Sequence, residues 1–290
     1  MKVEIIIDSS CDLPREYLLE NHVKTISYKY EIDGVEYTDD FGKTLSHEKF
    51  YNLIKEGKMP RTSQINQYRY SQVFRDIVKE GKELIYICLS SGLSGSYNNA
   101  VMAKNEILEE FPDAKIAVVD SKGASLGEGL LGYYATEMKK SEKTFEEIVN
   151  WLEENKNRLN YWFIVDDLNH LKRGGRISST AATIGTLFSI KPILHVNIDG
   201  ELKNVDKVKG RKKSLKVLKD KLIERIENPG NQVIGIAHSD DLKGALYLKD
   251  LISSEIKVKD FIISNIGSTI GTHVGNGTVT LFFLGKEKNL

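Results

Sequence analysis

Apolar residues in the first half of the chain fall into two alternating patterns. Short runs rich in β-branched residues, Val3 to Ile7, Leu84 to Leu89 and Ile116 to Val119, predict strands. Each is followed by a polar turn: Asp8-Ser9-Ser10, Ser90-Ser91-Gly92 and Asp120-Ser121-Lys122. Stretches with helical spacing lie between them, near His47 to Lys55 and Tyr68 to Lys79. Strands that hand over to helices through polar turns, several times in succession, predict a parallel sheet, whose C-terminal edge is where such sheets bind ligands. A hairpin is expected in the first interval, Thr25 to Tyr30 against Val35 to Thr38, turning at Asp33-Gly34.

Further along, Thr144 and Glu147 form a capping-box pattern ahead of Phe145, Ile148, Val149 and Leu152 at helical spacing. That helix is read as closing a first domain, with the polar stretch Glu153 to Asn160 as the boundary, so that residues 1–158 and 159–290 form two α/β domains. The second part predicts a strand at Tyr161 to Val165, an apolar helix from about Ser178 to Ile190 stopped by Pro192, and a hairpin turning at Asp199-Gly200. A Lys-rich helix from about Ser214 to Ile226 follows, then strands at Val233 to Ala237, Phe261 to Ile263 and Thr278 to Leu284.

Charge narrows the function. The 290 residues carry 41 Lys+Arg against 41 Asp+Glu, a formal net charge of zero, so there is no long-range pull toward nucleic acid or an anionic membrane. Two distant cysteines, Cys11 and Cys88, provide neither a disulfide framework nor a cysteine zinc site. Met1 leads straight into the strand-like VEIII and no apolar run reaches spanning length, so a cytoplasmic protein without stable membrane insertion is expected.

Nucleotide motifs fail on inspection. Gly42-Lys43-Thr44 lacks the first glycine of a P-loop, since position 37 is Tyr37. Gly127 to Gly132 spells GxGxxG, but it begins several residues after its strand and puts Glu128 where a pyrophosphate needs backbone donors. These read as helix glycines that allow close packing or leave room for a ligand. No metal, nucleotide or other cofactor is expected: the six histidines show no close ligand spacing.

The remaining polar segments carry the chemistry. Ser90 to Ser96 is not GxSxG; as a loop before a helix it offers backbone N–H groups and hydroxyls, which suits an anion site and equally a cap by Ser94 or Ser96. Arg61-Thr62-Ser63-Gln64 after Pro60 reads, taken alone, as a cap for the helix containing Tyr68. Cys11 has no base beside it and reads as a half-buried small residue, and the basic run Lys203 to Lys219 reads as a solvated face. His273 lies in Gly267 to Thr278, too glycine-rich to be only a connection. Arg173 and Arg176 flank Gly174-Gly175, where guanidinium groups suit an anion or a protein contact.

Taken together, these segments resemble the DegV family, fatty-acid-binding proteins that include the carrier subunit of bacterial fatty-acid kinase. The resemblance runs from Ile7 to Pro14 through Thr62-Ser63-Gln64, Leu89 to Tyr97, Val119-Asp120-Ser121, Leu171 to Ser178 and Gly271 to Gly277, over nearly the whole chain. Ile65 and Asn276 stand where the family commonly has proline. The resemblance implies an N-terminal parallel-sheet α/β domain and a C-terminal α/β domain with a mixed sheet. It implies one long-chain fatty acid, its carboxylate near Thr62, Ser63, Ser94 and Gly95 and held without a buried cation, its tail buried in protein. Arg173, Arg176 and His273 would lie near the head group or face a partner, a separate fatty-acid kinase subunit that supplies nucleotide and Mg²⁺. The alternative is an acyl or phosphoester hydrolase using Ser94 and His273.

Overall fold

The computed structural model describes residues 2–178 and 190–288. In chain order its strands and helices are β1 (Val3–Asp8), α1 (Arg15–Glu20), β2 (Lys24–Ile26), β3 (Lys29–Ile32), β4 (Val35–Thr38), α2 (His47–Lys55), β5 (Arg61–Ser63), α3 (Gln67–Lys79), β6 (Glu83–Cys88), α4 (Ser96–Glu110), β7 (Ile116–Asp120), α5 (Leu126–Lys140) and α6 (Phe145–Asn155). There follow β8 (Leu159–Ile164), α7 (Asn169–Arg173), β9 (Ile190–Val196), β10 (Leu202–Lys209), α8 (Arg211–Arg225), β11 (Val233–His238), α9 (Leu242–Ser253), β12 (Asp260–Asn265), α10 (Ser268–Val274) and β13 (Val279–Leu284).

Two large sheets form the frame. The first is parallel, in the order β2-β1-β6-β7, and the second is mixed, in the order β10-β9-β8-β13-β11-β12. Period-two alternation divides each strand between two cores. In the parallel sheet Ile5, Ile7, Ile85 and Ile87 face α5 and α6, while Ile6, Leu84 and Tyr86 face the other side with Phe74 of α3 and Ala103 of α4. In the mixed sheet Trp162, Ile164, Leu281 and Phe283 pack with Leu218 of α8 and Leu248 of α9, and Tyr161, Phe163 and Phe282 turn inward. The layers run α3/α4, parallel sheet, α5, mixed sheet, α8/α9. Helix α5 is buried at every position from Leu126 to Leu131, as a helix between two sheets must be.

Several local expectations need correction. The hairpin at Asp33-Gly34 joins β3 to β4, but Thr25 belongs to β2 and pairs with Ile7 in the parallel sheet. Arg61-Thr62-Ser63 is a strand against β3, and the cap of α3 is Asn66, whose side chain accepts the Arg69 N–H at 2.9 Å. The glycine-rich stretch after Gly267 contains a helix, α10, and a further helix, α9, lies between β11 and β12. The apolar helix expected from Ser178 lies, over residues 179–189, outside the described residues. Its expected end does not hold: Ile190 opens a strand, and Pro192 lies within it beside Lys207, past the last β9 residue that pairs with β8. The Thr144–Glu147 capping box is present, with both reciprocal bonds.

Candidate functional site

A cavity of about 520 Å³ lies between the C-terminal edge of the parallel sheet and the inner face of the mixed sheet. Its apolar wall is Tyr161 and Phe163 of β8, Val196 of β9, Leu202 of β10 and Phe282 of β13, with Leu89 and Ala124 from the turns after β6 and β7. The same alternation that turns Tyr161, Phe163, Val196 and Phe282 into the core between the sheets also exposes part of each to this space.

The polar part is contiguous. Thr62 Oγ1 lies 2.9 Å from His273 Nε2. The loop before α4 brings Ser94 and Gly95 to the same cavity, with Ser63, Gln64 and Arg176. Arg176 is held by two backbone carbonyls, donating to that of Leu93 in the loop before α4 at 3.1 Å and to that of Gly174 in its own segment. Ser94 accepts the Ser96 N–H at 3.2 Å and donates to Ser96 Oγ, and Ser96 Oγ in turn accepts the Ile65 N–H at 3.1 Å. Ser94 is therefore both the local cap and a cavity residue, while Ser96 ties the loop before α4 to the segment after β5.

Of the residues singled out in the sequence, Thr62, Ser63, Ser94, Gly95, Arg176 and His273 border this one cavity. Arg173 does not: it is exposed and contacts His170 Nδ1 at 3.0 Å. Arg176 brings a half-buried guanidinium to the polar part, where the resemblance implied a head-group site without a cation. Cys11 is fully buried, and burial with the neighbouring Glu128 pushes its thiol well up, so it is a packing residue. None of the glycines from Gly127 to Gly132 borders the cavity. A Cβ at Gly127 would lie 2.1 Å from the Tyr161 ring, and one at Gly129 2.4 Å from the Cys11 carbonyl oxygen, so the motif serves close packing.

Sequence reading missed Tyr28. It is buried, borders the cavity, and its hydroxyl makes no hydrogen bond to a described residue. Nothing in its local pattern separates it from a core tyrosine.

Helix α10 carries His273 and is anchored by acids from the first half of the chain. Asp12 accepts the Gly267 N–H at 2.8 Å, and Asp39 accepts the Thr269 N–H at 3.0 Å and its hydroxyl at 2.5 Å. Burial pushes Asp39 up to about 6. At the other end Gly174 lets the imidazole approach, since a Cβ there would lie 2.3 Å from Nδ1. Burial, and then the Arg176 charge, push His273 down to about 3. The imidazole is neutral at ordinary pH. It can pass a hydrogen bond through Thr62, but it is a weak base.

Comparison with known proteins places the sequence and the fold. A family model described as "Uncharacterised protein, DegV family" matches residues 2–286. A DegV domain-containing protein of Clostridium perfringens is 50% identical over 287 residues, covering 99% of each chain. Among solved structures, a DegV lipid-binding protein of Thermotoga maritima superposes with TM-score 0.85 at 31% identity, covering 100% of both chains. A stearic acid-binding protein of Eubacterium ventriosum superposes with TM-score 0.86 at 29% identity, covering 98% of both.

Proposed function

The chain belongs to the DegV family, and from that premise we propose that it is a cytoplasmic carrier of one long-chain fatty acid, which it presents by the carboxyl group to a separate kinase. The observation that carries this reading is the division of one cavity into an apolar wall from the mixed sheet and a hydroxyl-rich patch around Thr62 and Ser94. Burying an acyl chain contributes roughly 0.8 kcal/mol per methylene, which favours holding it inside protein over leaving it in water. The carboxylate is held by Thr62, Ser94 and the Gly95 backbone N–H, with Arg176 supplying opposite charge from the adjacent loop. Residues 1–158 supply the hydroxyls of Thr62, Ser63 and Ser94 with Leu89 and Ala124 of the wall, and residues 159–290 the rest of the apolar wall, Arg176 and His273. Among the described residues no helix is long and apolar enough to cross a membrane.

A hydrolase reading fits less well. Ser94 Oγ is bonded to Ser96 rather than to His273, and His273 Nδ1 has no hydrogen-bond partner among the described residues to orient it as a general base.

Mass spectrometry of organic extracts of the purified protein tests the binding step: one equivalent of fatty acid is expected, and protein that neither carries nor takes up fatty acid overturns it. Thr62→Ala and Ser94→Ala should each weaken retention by roughly 1.5 to 3 kcal/mol, the range for a hydrogen bond to a charged acceptor. Unchanged retention in both would reduce the hydroxyls to local structure. Presentation is tested by adding a fatty-acid kinase, ATP and Mg²⁺. Arg173→Ala should leave fatty-acid binding intact and reduce acyl-phosphate formation; normal acyl-phosphate yield would remove Arg173 from the docking surface.

A further inference from the structure

Beyond β13 the chain folds back over the junction of the two sheets. Gly285 N–H donates to the Arg158 carbonyl at 2.9 Å, Lys286 N–H to Arg225 at 3.0 Å and Lys288 N–H to Asn157 at 3.0 Å. The buried Arg225 guanidinium donates to the Glu287 carbonyl at 2.5 Å, and Asn160 Nδ2 to that of Lys286 at 2.9 Å. Fixed in this way, the segment turns the Lys288 side chain inward, where its exposure is 0%. Its ammonium donates to the Lys122 carbonyl at 2.8 Å and sits 4.7 Å from the centroid of the Tyr161 ring.

Tyr161 borders the ligand cavity and Lys288 does not. The ring is also confined on the side of the first sheet, since a Cβ at Gly123 or Gly127 would lie 2.0 or 2.1 Å from it. One aromatic wall residue is thus clamped between two glycines and a buried cation. We propose that Lys288 is a positioning residue of the ligand cavity, whose ammonium, held by the Lys122 carbonyl, fixes the Tyr161 ring in the wall and so sets how firmly an acyl chain is retained. This rests on the fatty-acid reading above.

Fold stability alone is a poor reason for this lysine. Burying an ammonium is costly, and a methionine would fill the same space without that cost. The charged and titratable groups facing it are Asp120, Lys122, Lys156, His195 and the Tyr161 phenol. Burial pushes Lys288 down to about 7, with Asp120 opposing and Lys122 and Lys156 adding to the shift. Attraction to the ring face requires the charged form, so the clamp is tightest below that pH.

The test compares the full-length wild type with Lys288→Met, each loaded with a fluorescent C16 fatty-acid analogue and followed by stopped-flow release into excess vesicles. Release from the variant should be about tenfold faster, while its melting temperature stays the same or rises. Wild-type release should quicken as pH rises through about 7, and the variant should lack that inflection. Equal release rates overturn the inference while leaving fatty-acid binding intact; a wild type that takes up no fatty acid overturns both. Should Lys288→Met fail to fold, the wild-type profile decides: an inflection near pH 7 supports the clamp, and a flat profile between about pH 6 and 9 overturns it.

Discussion

At the scale of single residues, His273 shows how burial fixes a protonation state. The unfolded chain binds a proton on this imidazole near its ordinary value of 6.5, whereas the folded protein does so only near about 3. Between those values the unfolded state holds more protons, so the group costs stability as pH falls from 6.5 and costs nothing above it. Asp39 acts in the opposite direction, because its carboxyl is raised from 3.8 to about 6 and the folded state holds the extra proton in that window. Comparison with His273→Gln separates the two, since glutamine can still bond Thr62 but does not titrate. The variant's melting temperature should fall less than the wild type's as pH drops from about 6 to 4, and superimposable profiles would place the imidazole in water. Ser94, Arg176 and His273 stood out in the sequence as polar groups in glycine-containing segments, whereas Thr62 read alone as a cap and entered the site only through the family resemblance. That Thr62 lies on a strand beside His273 was not legible, because the 2.9 Å contact spans 211 positions and depends on how α10 docks.

At the scale of elements, glycines decide which pieces can approach. The GxGxxG stretch was readable as glycines for close packing or for a ligand from its misplaced start and its acid, but its packing partners, the Tyr161 ring on one side and Ile7 with the Cys11 carbonyl on the other, come from two distant segments. Gly127→Ala should cost about 1–3 kcal/mol of stability by forcing the ring or α5 to shift. Gly230, which has open space around its Cβ position and no positive φ, is the matched control: Gly230→Ala should stay within about 0.5 kcal/mol. Urea unfolding of the two variants checks this, and equal midpoints would show that the α5–β8 contact can relax freely. Strands β1, β6 and β7 were legible because a fully buried parallel strand is a continuous apolar run. Helix α10 was hidden by flanking Gly267 and Gly275 and by its own Gly271, whose missing Cβ leaves room for Tyr51 at 2.6 Å.

At the scale of the whole molecule, the cavity lies where the two sheets meet, so a ligand bound in it would tie stability to occupancy. The parallel sheet followed from the order of runs and turns and the mixed sheet from the family resemblance, but the cavity followed from neither, because its wall comes from side chains spread over β8, β9, β10 and β13 that local pattern marks only as core. A ligand touching both sheets and binding only the folded chain stabilises it by about 2.7 kcal/mol at a hundred times its Kd. For a chain of this size that is a rise of roughly 5–10 °C in melting temperature. Protein stripped of lipid under native conditions should therefore melt lower by about that amount and recover on adding a long-chain fatty acid. Because helix α5 is the shared layer of both sheets, the recovery should move a single transition. A scan in which fatty acid moves one of two resolved transitions, leaving the other in place, would show that one sheet binds the ligand alone and that the halves unfold independently.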